Sequence, residues 1–361
     1  MRPPPSPLFG LSRRGLLLAA LAAGPLTAWA LPERRMEFPR DFGSHPELQT
    51  EWWYITGHAK TPAGREFGFQ VTFFRSRVDA AQGLRSAFAA KHLVFAHAAV
   101  TDLDGRVLLH DQRIARAGFG IASASETDTD VRLRDWSLVR GADGSYSAHI
   151  PAGEFSIDLR FAPTQPVLLQ GKAGLSRKGP EEAQASYYYS EPQLKTLGRL
   201  TLKKGQAFDV DGTAWLDHEW SEALMHPDAV GWDWIGMNLD DGSALTAFRL
   251  RRRDGDALWA GGSFRTRDGA LRIFGSDEVR FDGASAWTSP RTQAKYPTQW
   301  RVQTPSGSFE VRALLDDQEL DSRGSAGGVY WEGVSDLLDA QGRRVGRGYL
   351  EMTGYAAPLR L

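Results

Sequence analysis

Acid–base chemistry on an apolar molecule needs a group that carries a proton, a second group that sets its pKa, and aromatic surface to hold the molecule. Those residue types fall together at three places: Glu51-Trp52-Trp53-Tyr54-Ile55-Thr56-Gly57-His58, Trp215-Leu216-Asp217-His218-Glu219-Trp220-Ser221 and Gly231-Trp232-Asp233-Trp234-Ile235-Gly236. One such patch would be packing, because tryptophan is a core residue; recurrence at three places points to a pocket. Read as a strand, the second patch puts Leu216, His218 and Trp220 on one face and Trp215, Asp217 and Glu219 on the other. His218 is then a candidate general acid or base, desolvated between apolar neighbours unless a carboxylate from another strand offsets this. Asp217 and Glu219 are the candidates to tune it, provided a bulge or strand end brings one round. The competing reading is a core histidine bonded to a backbone carbonyl.

Glu51 shares a strand face with Trp53 and Ile55, as a buried carboxylate of raised pKa, as the partner of an arginine such as Arg75, or as an exposed glutamate at the strand start. Tyr54 and the hydroxyl-bearing run Tyr187-Tyr188-Tyr189-Ser190 could orient a ligand, Tyr189 among them. Trp232 and Trp234 share one face with Asp233 opposite, a pair of indoles suited to a flat apolar ligand or to an inter-sheet core. His97, in Phe95-Ala96-His97-Ala98-Ala99-Val100, sits among small and apolar residues and is either a substrate contact or a hydrogen-bonded core residue.

Absences narrow the chemistry. The chain has no cysteine, hence no disulfide, thiol nucleophile or thiolate metal site. His-Glu-x-x-His is missing and the eight histidines form no close pair of metal-ligand spacing. The nearest approach to a Gly-x-Ser-x-Gly elbow is Arg323-Gly324-Ser325-Ala326-Gly327, without the strand–helix context that elbow needs. No phosphate-binding glycine loop occurs. Neither a metal nor a cofactor is expected.

The elements that must position these residues are strands. Phe67, Phe69, Val71 and Phe73 alternate with Gln70 and Thr72, and Val131–Trp136 and Phe155–Phe161 repeat the pattern. Seven Asp-Gly steps, at 104, 143, 211, 241, 254, 268 and 282, each predict a hairpin reversal. Helical periodicity is confined to short stretches around Asp79–Phe88 and Ser221–Met225. The expectation is an all-β protein of two barrel or sandwich units, closed barrels being favoured because so many strands would otherwise leave exposed edges. Pro227 cannot continue a ladder, which places the boundary near Leu224: residues 37–224 form the first unit and 225–361 the second.

Residues 1–30 read as an export leader. Ser12-Arg13-Arg14-Gly15-Leu16-Leu17 opens an apolar run, and Ala28-Trp29-Ala30 supplies a small-x-small cleavage site. The paired arginines resemble a twin-arginine signal, and the apolar run is too short to span a bilayer, so a periplasmic or secreted protein with no integral membrane segment is expected. The formal net charge is −1, and loss of Arg2, Arg13 and Arg14 with the leader makes the remainder more acidic. That argues against nucleic acid and anionic membrane surfaces as partners.

Together, Glu51-Trp52-Trp53-Tyr54, Tyr188-Tyr189-Ser190, Gly212-Thr213-Ala214-Trp215-Leu216-Asp217-His218-Glu219-Trp220 and Trp232-Asp233-Trp234 resemble the AttH-like family, related to bacterial carotenoid hydratases, over a stretch from about Glu37 to the C-terminus. The resemblance implies two lipocalin-like antiparallel β-barrel domains packed together. It also implies water addition across a carbon–carbon double bond, with Asp217, His218 and Trp220 matching the Asp-His-x-Trp element of that branch. Where those hydratases use a further tyrosine and aspartate, this chain has Ala244-Leu245-Thr246-Ala247-Phe248. Exported relatives are commonly labelled secreted hydrolases, and others guide cyclisation of bound polyenes. The leading expectation is an exported hydrolase- or hydratase-like lyase that binds a hydrophobic small molecule near the domain junction, with His218 as general acid or base and Trp53, Trp220, Trp232 and Trp234 lining the pocket. The alternative is a non-catalytic lipocalin-type lipid carrier or envelope-assembly factor.

Overall fold

The computed structural model describes residues 30–359 apart from 224; the leader proposed for residues 1–30 lies outside the described residues up to its last position. Alternating apolar residues drive the chain into two antiparallel sheets. In the first, Thr50–Lys60 is central, flanked by Glu66–Arg77 and then His92–Asp102 and Val107–Arg116 on one side, and by Gln206–Ser221, Ala185–Leu202 and Phe155–Ala162 on the other. Beyond Phe155–Ala162 the sheet steps back through Tyr146–Pro151, Trp136–Arg140 and Asp130–Leu133 to Ala122–Ala124. Its two edge strands, Val107–Arg116 and Ala122–Ala124, are therefore consecutive in the chain. A linker of five residues reaches only about 17 Å, so the sheet must roll until its edges meet. The second sheet repeats the device, with Leu271–Phe274 and Arg280–Thr288 as consecutive edges. Both units are lipocalin-like barrels, and two rolled sheets are the expected architecture.

Two-residue alternation sorts each strand between the inside of its barrel and the outside. Trp53, Ile55, Phe67, Phe69, Val71, Phe73, Leu216 and Trp220 fill the first interior. Ile235, Met237, Leu245, Trp300, Trp331 and Leu350 fill the second. A third apolar cluster, built from Tyr54, Trp215, Trp234, Phe248, Val334 and Tyr349, lies between the barrels. It forms because the outer faces of the Thr50–Lys60 and Gln206–Ser221 strands pack against those of Gly231–Leu239 and Arg344–Met352. A face that would be solvent in a lone barrel is here a buried seam.

Five Asp-Gly steps are turns, four of them with the glycine at positive φ. Two are not: Asp211-Gly212 runs inside Gln206–Ser221, where a Cβ on Gly212 would lie 2.0 Å from the His58 carbonyl oxygen. Asp282-Gly283 sits at a register shift within Arg280–Thr288. Neither is a reversal: Gly212 permits close backbone approach, and Gly283 leaves room for the Pro297 and Trp300 side chains. Of the helical stretches, only Asp79–Gln82 is an α-helix.

Candidate functional site

His218 lies on the inner face of the first barrel, as its alternation requires. Directly opposite on the neighbouring strands stand Trp53 and Tyr189. The ring stacks on Trp53 at 4.6 Å between centroids and lies 4.7 Å from Trp220 and 5.2 Å, edge-on, from Tyr189. It has no solvent exposure. Nε2 is 3.0 Å from Glu51 Oε1 and Nδ1 is 3.1 Å from the Tyr189 hydroxyl. Indoles do surround the imidazole, but aromatic rings fill the space at its faces and both nitrogens are engaged.

Glu51 is the hub of this interior. Its carboxylate accepts from Ser44 Oγ at 2.7 Å, the His45 backbone N–H at 2.9 Å and Arg75 Nε at 3.0 Å, and His45 Nδ1 stands 2.8 Å away. Burial alone would raise its pKa, yet the His218 and His45 hydrogen bonds hold it well below the usual range. The expectation of a raised Glu51 is thus corrected, and its pairing with Arg75 is observed. His45 bridges Glu51 to Asp41 through Nε2 at 3.0 Å; burial opposes its charge, but the two carboxylates raise its pKa. Burial pushes His218 the other way, to about 4, so its ring is neutral at pH 7. His45, Glu51 and His218 bring three ligand-type atoms within 4.8 Å of one another, enough for a metal ion. The Arg75 guanidinium and the His45 ring already engage this carboxylate, and a cation there would compete with both.

Asp217 and Glu219 point out of the barrel, and no bulge brings either back to His218; the idea that they tune it is corrected by the flat register of this strand against Thr50–Lys60. They belong to the seam. Asp217 accepts from Ser190 Oγ at 2.5 Å, Trp215 Nε1 at 2.7 Å and the Tyr188 hydroxyl at 2.9 Å, yet burial outweighs these bonds and lifts it to about 7. Glu219 pairs with Lys178 at 3.0 Å. Tyr54 meets Trp234 edge-on at 5.4 Å, and Trp234 stands edge-on to Trp215 at 6.3 Å. Trp232 and Trp52 are half-buried and pack against the seam cluster. His97 also faces the second domain: Nδ1 lies 2.9 Å from the Tyr330 hydroxyl and Nε2 2.8 Å from Ser325 Oγ.

The expected site residues therefore divide between two places. Glu51, Trp53, Tyr189, His218 and Trp220 are inside the first barrel; Tyr54, His97, Asp217, Glu219, Trp232 and Trp234 are in the seam. The sequence reading missed the two acids that complete the seam. Glu332 and Glu351 stand directly opposite each other on the Val329–Leu338 and Arg344–Met352 strands. Burial raises both, Glu351 to about 7 and Glu332 well above the carboxylate range, the latter also through the neighbouring Glu351 charge. Gln70 Nε2 donates to Glu332 Oε2 at 2.6 Å, while Glu332 Oε1 and the Tyr54 hydroxyl, both buried, have no hydrogen-bond partner. Their signal was present as Tyr330-Trp331-Glu332 and Tyr349-Leu350-Glu351, each an acid and an aromatic two apart on one face.

The AttH-like family model matches residues 29–355. No curated protein matches the chain. Among solved structures, a protein described as an AttH from Nitrosomonas europaea is 48% identical, with 90% of this chain and 99% of that one covered at a TM-score of 0.84. Kievitone hydratase from Nectria haematococca is 14% identical over 91% of this chain and 98% of its own, TM-score 0.68. CghA with Sch210972 is 15% identical over 85% and 88%, TM-score 0.55. At those identities the last two share the fold. The match of the family model over residues 29–355 and the 48% relative decide the assignment: this chain belongs to the AttH-like family.

Proposed function

We propose that this protein is a hydratase-type lyase that protonates an apolar unsaturated molecule in the interdomain seam, with Glu332 as proton donor. The observation that carries this reading is the facing pair Glu332 and Glu351: two carboxyls directly opposite each other on adjacent strands, Glu332 buried and Glu351 half-buried, both with raised pKa values. Like charges so close cannot both ionise, so one acid stays neutral at pH 7 while its neighbour titrates near it, the split that lets two carboxyls serve as acid and base. Glu332 delivers its proton to one alkene carbon, leaving a cation at the other. The faces of Tyr54 and Trp234 suit that charge. Water attacks the cation and gives its proton to the Glu351 carboxylate, and transfer from Glu351 to Glu332 restores the pair. The fold shared with kievitone hydratase accords with such chemistry.

His218 is not assigned the proton: its ring is neutral at pH 7 and both nitrogens are already hydrogen-bonded, to Glu51 and Tyr189, whereas Glu332 Oε1 has no partner among the described residues. Ester hydrolysis is disfavoured by the state of the Ser325–His97 pair. Gln112 Nε2 donates to the Asp321 carbonyl, so its Oε1 faces Ser325 and can only accept. The serine proton is committed to Gln112, and His97 Nε2 must then donate to the serine instead of taking its proton. The backbone N–H groups of Ser325, Ala326 and Gly327 all bond to Ser322 O and offer nothing to an oxyanion. With the proposed leader removed near Ala30, the reaction belongs to the periplasm or the exterior.

The test is incubation of an envelope lipid extract with the protein in ¹⁸O-labelled water, followed by mass spectrometry. The expected result is at least one unsaturated species that gains labelled water with wild type and not with Glu332→Gln. A lipid that copurifies and is never altered, with equal affinity in wild type and Glu332→Gln, would establish the carrier instead.

A further inference from the structure

Away from the seam, the loops at one end of the first barrel hold the largest apolar side chains left in solvent. Phe88 is 76% exposed, Phe119 57% and Leu84 53%. They form one patch. Phe88 and Phe119 stack with centroids 5.5 Å apart, the Arg116 guanidinium lies 4.1 Å from the Phe119 ring centre, and Arg116 Nη1 donates to the Phe88 carbonyl at 2.6 Å. Beside them is a depression of about 500 Å³ lined by Leu84, Arg85, Lys91 and Ala117, among others. Single exposed apolar residues are ordinary; a contiguous aromatic patch marks a docking surface. The backbone is bent to present it. Gly118, Phe119 and Gly120 have φ of 99°, 59° and 68°, and the left-handed region is a strained place for a phenylalanine, so the loop holds that ring outward against its own preference.

Charge identifies the occupant. Residues 83–92 and 115–123 contain no aspartate or glutamate and carry Arg85, Lys91 and Arg116, a local basic field within a chain of formal net charge −1, so the whole-chain acidity that argued against anionic membrane surfaces does not describe this face. A second copy of this chain would bring the same cations face to face. Aromatic rings at loop tips, flanked by arginine and lysine, match an interface where rings enter the acyl boundary and cations meet phosphates. We infer that this loop pair docks the protein on an anionic lipid surface. The register gives the docking a use: Arg77 pairs with His92, Leu93 with Arg116, and Thr50 with both Ser76 and Ser221, so the patch lies at the end of the sheet where Trp52 enters the seam. An apolar molecule leaving the lipid would meet half-buried indoles first. The surface stands independently of the chemistry assigned to Glu332.

Co-sedimentation of the full chain with vesicles of phosphatidylglycerol and phosphatidylcholine tests it. Wild type is expected to partition onto these and weakly onto pure phosphatidylcholine, with added salt weakening the binding. The double variant Phe88→Ser/Phe119→Asn, and separately Arg116→Glu, should lower partition by about tenfold or more; any contribution of residues 1–29 is common to all three proteins and cancels. Phe88 and Phe119 lie at exposed loop positions and Arg116, half-buried, ends its strand; unchanged thermal melting would confirm that the fold is intact. Equal partition of wild type and the double variant would overturn the inference. So would a self-associating species in sedimentation velocity that the double variant abolishes, which would assign the patch to a second copy.

Discussion

A buried carboxyl without a cation is held by its proton, and that fact governs what single substitutions in the seam do. If Glu351 is the base, kcat should rise with pH through about 7 as Glu351 ionises. Glu351→Gln should abolish the turnover that shows this limb; a pH–rate profile in wild type with no inflection near 7 would contradict the assignment. Asp217 gives a stability signature. Its folded pKa, about 7, stands above the ordinary 3.8 of an exposed aspartate. The native state therefore binds the extra proton between those values, and the contribution to stability is complete below about 3.8 and lost as pH rises through about 7. Asp217→Asn has no such loss, so its Tm minus that of wild type should grow more positive from pH 4 to 8. The full span is on the order of 4 kcal/mol. His218→Gln, in contrast, removes two buried hydrogen bonds and should cost about 1–3 kcal/mol in urea unfolding while leaving seam chemistry in place.

Strands and the segments that brace them carry the next set of effects. The 3₁₀ turn Arg40–Phe42 and the loop after it deliver Asp41, Ser44 and His45 to the first barrel, where Glu51 joins them to the sheet. Glu51→Gln would leave the Arg75 guanidinium buried beside a neutral amide, an uncompensated charge that should cost about 3–5 kcal/mol, read as a fall in the urea midpoint. Gly236 marks where a strand tolerates no side chain. A Cβ there would sit 2.3 Å from the Trp234 ring and 3.2 Å from Trp215. Gly236→Ala should push Trp234 out of its edge-on contact with Tyr54, seen as a shift in tryptophan emission, with loss of ligand binding at little cost to the rest of the barrel. Alternation along Thr50–Lys60 explains why the opening aromatic patch never acts as a unit: Trp53 serves the barrel interior and Trp52 the seam, because adjacent strand residues face opposite ways.

At the scale of the whole molecule, the two barrels are joined by side chains as well as by apolar contact. His97 bonds to Tyr330 and Ser325, Gln70 to Glu332, and Asn238 donates to the Ala214 carbonyl. Burial depresses His97 to about 3 and His58 to about 3. A histidine with a lowered folded pKa contributes stability that is present above its unfolded value of 6.5 and lost as pH falls towards the folded value. His97→Ala should loosen the seam, turning one calorimetric unfolding transition into two, and should flatten the decline of wild-type stability below pH 6.5.

Much of this was legible from the chain alone. Periodicity of two, Asp-Gly reversals and the scarcity of helix determined an all-β protein, since these depend on near neighbours. The family resemblance added the paired lipocalin-like barrels, and alternation correctly put His218 and Trp220 on one face and Asp217 and Glu219 on the other. What alternation could not say is which face meets water. Glu332 and Glu351 lie on strands where an acid faces solvent unless another element covers it, and only the docking of the first barrel buries Glu332, half-buries Glu351 and raises both pKa values. His218 read as reaching an open hollow, and only the packing of Trp53, Tyr189 and Trp220 around it fills that space. Side-chain direction along a strand is local; burial is a sum over partners far apart in sequence, and so the tertiary structure alone decided it.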